Sequence, residues 1–338
     1  MVNPRTLLFG LVALPLLLES APARGLLTAT AQEPGISQLP STVVAVGAGP
    51  EAVVSDGRFV WVASQFSNTV TKVDPRDGRV VAAVAVGDSP AALAYDGSRI
   101  WVANLRSNSV MALHAGDGTV LGSYPVGRSP GGLAVDGHHV WVANREDDTV
   151  TKLRVGDGSV QGTFPVGDRP LSLVVDSGHV WVTNNADNSV TKLRALDGSA
   201  VGTYAVGDSP FGIATDGSSI WVSNYFDDTV TRIRADTGQR LGTLKVGPSP
   251  AALVCDRDLI VVSNNGGGTL TILRRREAME RDGASGAPAT VVATLRAAES
   301  PFGLAITRGG TPTIWVASFG SDSLLGIRPP GGLFHDGN

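Results

Sequence analysis

The sequence predicts an all-β chain, a seven-bladed β-propeller of four-stranded antiparallel blades closed by its own N-terminal strand. Three observations carry that prediction. First, Trp61, Trp101, Trp141, Trp181 and Trp221 stand 40 residues apart, Val261 takes the sixth place in that frame, and Trp315 a seventh after an interruption. A fixed repeat of that length is one supersecondary unit copied around or along an axis, each copy unable to bury its apolar faces alone. Second, every copy carries a small residue at one place: Ala52, Ala92, Gly132, Ser172, Gly212, Ala252 and Gly303. Seven inner strands converging on one axis would collide if larger side chains stood there. Third, the last copy lacks a fourth strand, and the start of the repeat region supplies a matching one.

Ahead of the repeats, Arg5 and the 12-residue apolar run 7–18 read as a secretory leader, with small-residue cleavage sites after Ala23 or Ala31. Twelve residues interrupted by Pro15 are too short for a stable membrane span. The expected organisation is a signal peptide over 1–31, a linker over 32–41, the propeller over 42–329 and a flexible tail over 330–338, exported to the periplasm or beyond the cell. The net charge is −4, and loss of Arg5, Arg24 and Glu19 with the leader makes it one more negative. No basic block exceeds Arg274, Arg275 and Arg276, so a nucleic-acid footprint is not expected. The single cysteine, Cys255, falls in an apolar strand and is expected to be an inert small hydrophobe. It offers no disulfide framework, and no cysteine near the cleavage sites could carry a lipid anchor.

The third copy shows what each repeat encodes. GGLAV (131–135), VWVAN (140–144), TVTKLR (149–154) and VQGTFPV (160–166) are β-branched, apolar runs without helical periodicity. Asp136-Gly137 and Asp157-Gly158 separate runs where a positive φ is needed for a tight turn. A proline opens each first strand (Pro50, Pro90, Pro130, Pro170, Pro210, Pro250 and Pro301), a place where its missing N–H is tolerated. The tryptophans alternate with valines, so both faces of the second strand are apolar and should be sandwiched between neighbouring blades. Asn104, Asn144, Asn184, Asn224 and Asn264 end that strand and read as turn residues bonding their own backbone. In the last copy FGLAI (302–306), TIWVAS (313–318) and SLLGIRP (323–329) are three strands; residues 42–46 should pair with the third of them. The sixth copy is 11 residues longer than the rest, with the excess in 274–290, and three more residues lengthen the turn around Arg308-Gly309-Gly310.

The motif VWVAN…NTVTKL…DG…VG.SP resembles the YVTN-type seven-bladed propeller repeat, related to NHL and streptogramin-lyase-like propellers. VWVANREDDTV and VWVTNNADNSV carry the likeness, with tryptophan where tyrosine often stands, over residues 42 to 328. WD-repeat propellers match less well, because the Trp-Asp dipeptide is missing from every copy. The resemblance implies fold, and implies an exported binding or surface protein; it assigns no activity.

Loops entering the first strand and loops joining the second to the third should share one face around the central channel. The entrance loops place Asp88, Arg128, Asp168, Asp208 and Glu299 there. The other loops vary most just after the second strand: Gln65-Phe66, Leu105-Arg106, Arg145-Glu146, Asn185-Ala186, Tyr225-Phe226, Asn265-Gly266 and Phe319-Gly320. A constant frame with variable tips is how loops carry function on a rigid scaffold. Exposed aromatics on one arc make the candidate site Phe211, Tyr225, Phe226, Phe302 and Phe319, with Asp208 and Glu299 at the rim. The expected function is a non-catalytic binding propeller, monomeric, taking a protein or small ligand without cofactor, metal or nucleic acid. The alternative is a streptogramin-lyase-like or lactonase-like lyase or hydrolase. That chemistry needs a base or metal ligands on the channel face. His138, His139 and His179 lie in turns on the opposite face, His114 closes a third strand there, and His335 sits in the tail. Asp88, Asp168 and Asp208 are too dispersed around a ring to share one cation.

Overall fold

Every copy of the repeat folds as an antiparallel four-stranded sheet, and seven such sheets make the propeller. The computed structural model describes residues 41–275, 289–308, 312–329 and 333. Blades 1 to 6 span 50–85, 90–125, 130–165, 170–205, 210–245 and 250–296, each with its strands hydrogen-bonded in sequence order. Blade 7 takes its inner three strands from 301–327 and its outermost strand from Ser41–Ala45. That last strand pairs antiparallel with Ser323–Ile327, Thr42 opposite Gly326 and Val44 opposite Leu324. Closure therefore joins the two ends of the repeat region, as the missing fourth strand predicted.

The tryptophans are fully buried, and they pack across blades. Trp141 of blade 3 clusters with Leu173, Val180, Val182 and Leu193 of blade 4, and Trp181 of blade 4 with Ile213, Ile220, Val222 and Ile233 of blade 5. Burying one such ring stabilises the ring of blades by roughly 4–6 kcal/mol before entropy is counted. A cation sits over each of several indoles. Lys152 Nζ lies 5.0 Å from the Trp141 ring and donates to Ala195 O at 2.7 Å and Leu196 O at 3.1 Å in the next blade. Lys72 and Lys192 repeat this bridge to Ala115 and Ala235.

The small column is explained by backbone approach. A Cβ on Gly132 would stand 2.4 Å from Leu171 O, one on Gly212 2.3 Å from Ala251 O, and one on Gly303 2.6 Å from Glu51 O. These are contacts between successive inner strands around the axis, including the closing contact of blade 7 with blade 1.

The asparagines differ from expectation. Asn144 and Asn184 are fully buried and reach across to the third strand instead of bonding their own turn. Asn144 Nδ2 donates to Thr149 Oγ1 at 3.1 Å and Thr151 Oγ1 at 2.8 Å, and Asn224 does the same to Thr229 and Thr231. A buried amide needs several partners, and the third-strand hydroxyls supply them.

The leader and linker to residue 40, residues 276–288 of the sixth-copy excess, residues 309–311 and most of the tail lie outside the described residues. Leu333 is described: it packs on the cluster of blades 6 and 7, and its carbonyl accepts from Arg274 Nη2 at 2.9 Å. Among the described residues no helix is long and apolar enough to cross a membrane.

Candidate functional site: the channel mouth

Two repeated backbone devices build one face of the disc. The residue before each first-strand proline adopts a left-handed conformation, φ 60° at Ser89, 53° at Arg169 and 54° at Ser209. Its N–H donates to a side chain of the preceding blade: Ser89 to Asn68, Arg169 to Asp148 and Ser209 to Asn188. Gly268, at the acceptor place before Ser300, has no side chain to offer, while Gly49 N donates in the same way to Asp322 Oδ1 of the closing blade at 2.9 Å. Its carbonyl then accepts from the residue just past the second strand, Gly49 O from Gln65, Ser129 O from Arg145, Ser209 O from Tyr225 and Ser300 O from Phe319. The variable positions are thus held at equivalent places on a fixed frame.

The residue after each proline is aimed by a bulge. In blade 5 Pro210 pairs with Asn224, but the register slips before Ile213 pairs with Val222, leaving Phe211 in the irregular stretch. Bulges re-aim a side chain in this way. Thr183 Oγ1 of blade 4 donates to Phe211 O at 3.2 Å, and Ser263 Oγ of blade 6 donates to Phe302 O at 2.7 Å, which pins both backbones.

The predicted aromatics meet in an unbroken series of ring contacts. Phe226 touches Tyr225 at 5.4 Å between centroids, Tyr225 touches Phe211 at 5.7 Å, and Phe211 touches Phe302 at 5.7 Å. Phe302 then touches Phe319 at 5.6 Å, and Phe319 touches Phe66 of blade 1 at 5.4 Å. Phe211 and Phe302 belong to blades 5 and 7. Ala251, at the same place in blade 6, offers only a methyl group and lets the two rings meet over it. Phe66 belongs to this arc although the sequence reading placed it only among the variable tips. The rings are less exposed than expected: Phe226 and Phe66 are open to solvent, at 57% and 58%, while Tyr225, Phe211, Phe302 and Phe319 are half-buried. Tyr225 also donates its hydroxyl to Asn265 Oδ1 at 3.3 Å.

Asp208 and Glu299 are both exposed on the entrance loops of blades 5 and 7. Asp208 N is held by Asp227 Oδ2 at 2.8 Å, and Glu299 O accepts from Ser318 Oγ at 2.8 Å, so the loops are fixed while the carboxylates face water. Arg128, at the equivalent place in blade 3, pairs with Asp147 at 2.6 Å.

The same mouth also carries shielded polar groups. Glu51 follows Pro50 in blade 1, at the place that carries Ala91, Gly131, Leu171, Phe211, Ala251 and Phe302 in the other blades. Its Oε2 is shielded from solvent and has no hydrogen-bond partner. Burial pushes its carboxyl up to about 7, with Arg145 pulling in the opposite direction. Arg145 of blade 3 has a shielded, unpartnered Nε of its own. Burial, then repulsion by Arg169, lower its pKa, while Glu51 and Glu146 act to raise it. Asn265 Nδ2 is a third shielded group without a partner. The signal for Glu51 was present in the sequence, as the one charged residue in an otherwise apolar column. Among the described residues no three His, Cys, Asp or Glu side chains gather as a metal-binding group.

No family model matches the chain, and no curated protein matches it in sequence. Solved structures do match in fold. A streptogramin B lyase aligns with TM-score 0.69 at 19% identity, over 86% of this chain and 97% of its own. The virginiamycin B lyase from Staphylococcus aureus aligns with TM-score 0.68 at 15% identity, over 86% and 100%. Kuenenia stuttgartiensis hydrazine synthase aligns with TM-score 0.72 at 19% identity, over 90% and 99%. The streptogramin-lyase-like likeness read from the repeat is met at the level of the fold, and the functions on that fold are varied.

Proposed function

We propose that this chain is an exported, non-catalytic binding propeller that holds a ligand over its channel mouth against the aromatic arc. The observation that carries the reading is the series of six rings in contact from Phe226 to Phe66, spread over three blades. No single blade needs these rings for its own sheet, because its core is filled by tryptophan and valine. Aromatic side chains anchor ligands well, burying much area at little rotamer cost. The leader over 1–31 would deliver the propeller outside the cytoplasm. The negative net charge fits a ligand other than nucleic acid.

The test is a paired substitution, Tyr225→Ala with Phe226→Ala. The expected result is weaker ligand capture with the unfolding midpoint nearly unchanged. A large loss of stability with capture intact would make these rings structural and overturn the proposal.

A second reading, a lyase or hydrolase at the same mouth, is favoured by Glu51, whose carboxyl titrates near neutrality and could pass a proton. Turnover of a lactone or cyclic ester by the wild-type protein, abolished in Glu51→Gln, would replace the binding reading with this one.

A further inference from the structure

We propose that Glu51 and Arg145 form the polar end of the channel site and that its ligand is a free amino acid with an apolar side chain. The inference deepens the binding reading and rests on it for the apolar end. Glu51 Oε2 and Arg145 Nε are both shielded from water and both lack a hydrogen-bond partner. Leaving a buried charge uncompensated is costly, and a chain keeps such groups where something else satisfies them. The two groups have opposite sign and stand on blades 1 and 3, attracting each other without either shielded atom being satisfied. What satisfies both is a small molecule with a cation for Glu51 and an anion for Arg145. An α-ammonium and an α-carboxylate on one carbon supply that pair.

The rest of the ring sets the ligand's body. At the places equivalent to Glu51, blade 2 carries Ala91 and blade 3 carries Gly131, so the inner strands next to the two charged groups bear only small side chains there. Round the other side, blade 7 meets blade 1 where a Cβ on Gly303 would stand 2.6 Å from Glu51 O, and Phe302, Phe319, Phe211 and Tyr225 form the apolar wall from there. An aliphatic or aromatic side chain would lie on that wall.

Binding is measured by calorimetry at about pH 7 with four probes: L-phenylalanine, phenethylamine, 3-phenylpropanoate and 2-phenylethanol. L-Phenylalanine should bind best, with each singly charged probe at least about tenfold weaker. Glu51→Gln should weaken L-phenylalanine and phenethylamine but not 3-phenylpropanoate; Arg145→Gln should weaken L-phenylalanine and 3-phenylpropanoate but not phenethylamine. Because the Glu51 carboxyl is partly protonated near pH 7, an arriving ammonium should expel a proton. Heats measured in two buffers of different ionisation enthalpy should reveal that release, and Glu51→Gln should abolish it, which a merely structural glutamate would not do. Equal affinities for all four probes, indifferent to both substitutions but weakened by Tyr225→Ala with Phe226→Ala, would overturn this inference and leave the aromatic reading standing. L-Phenylalanine binding that needs Glu51 and Arg145 but ignores the Tyr225 and Phe226 substitutions would sink the aromatic reading and keep this one. Absence of L-phenylalanine binding, with water alone filling the site, would overturn it outright.

Discussion

Trp181 Nε1 is buried without an acceptor, although Asp176 stands five residues before it. At the same spacing Asp136 accepts from Trp141 Nε1 at 2.9 Å, and Asp216 from Trp221 Nε1 at 2.9 Å. The cause is the turn between them. In blade 3 Asp136 begins an Asp-Gly turn, with Gly137 at φ 91°, and its Oδ1 accepts from the backbone of His138 and His139. In blade 4 the turn is Ser177-Gly178, both at positive φ, so Asp176 stays in its strand opposite His179. Its Oδ1 accepts from Thr215 of the next blade instead.

That difference predicts unequal costs for one substitution. Trp141→Phe removes a charge-assisted hydrogen bond and leaves Asp136 short of a donor. Trp181→Phe removes a donor that had no acceptor. Both lose similar apolar area, so Trp141→Phe should cost about 1.5–3 kcal/mol more. Urea unfolding of the two variants checks this, and equal costs would show that the indole bonds contribute nothing net.

The repeat made strands, turns and closure legible because each follows from residues close in sequence or from a frame of fixed length. The aromatic arc is partly legible: the sequence points to Phe211, Tyr225, Phe226, Phe302 and Phe319, and the structure joins them through ring contacts. Phe66 was passed over because its partner, Phe319, lies at the other end of the chain and meets it only through closure. Glu51 was passed over for a similar reason. Its place as the one charge in an apolar column is visible in the sequence, but the Arg145 that acts on it lies two blades away, so its burial is not. The bonds from Asn68 to Ser89 or Asp148 to Arg169 also cross from one blade to the next, and no turn rule announces them.

Closure predicts a specific fragility. Val44 is 6% exposed and clusters with Val60, Val62, Trp315 and Leu324. Deleting residues 41–47 removes the outer strand of blade 7 and bares the edge at Ser323–Ile327, an invitation to aggregation. Thermal unfolding should fall sharply and become concentration-dependent. An unchanged transition would mean that the ring does not depend on this strand.

Gly49 separates steric from backbone cost. It sits at φ 65°, and an added Cβ would stand 2.7 Å from Phe66 Cδ2 and 3.3 Å from Phe319 Cε2. Gly57 also has a positive φ, 86°, with nothing within 4 Å of an added Cβ. Gly57→Ala should therefore cost only about 1 kcal/mol of backbone strain, whereas Gly49→Ala should cost more and disturb the near-ultraviolet dichroism of the Phe66–Phe319 pair. Equal effects would show that the rings yield freely.

Cys255 should resist thiol reagents in the folded protein. Burial, and secondarily Asp216, push its thiol up to about 12, while Arg275 acts to lower it. The thiolate is the reactive form, so its fraction at neutral pH is minute. Labelling should appear only as blade 6 opens, and its rate in rising urea should track unfolding. Rapid labelling of the native protein would contradict this environment.

Glu51 gives the stability a pH dependence whose sign is fixed by its raised pKa. The ligand-free folded state holds this proton up to about 7, whereas the unfolded chain releases it near 4.5. Below about 4.5 the carboxyl is protonated in both states and burial carries no ionic penalty. Between 4.5 and 7 the unfolded chain gains charge first, so the folded state loses stability relative to it as pH rises, levelling off above 7. At 1.36 kcal/mol per pKa unit the loss is about 3 kcal/mol. Glu51→Gln carries no such proton, so its stability relative to wild type should climb by about that amount between pH 4 and pH 8. Arg145→Gln should move the window upward, because Arg145 is the cation that holds the carboxylate down. Urea unfolding at a series of pH values reads both effects. A difference between Glu51→Gln and wild type that stays flat across the range would mean that Glu51 ionises as an ordinary surface carboxylate, and that the channel mouth has no buried charge for a ligand to meet.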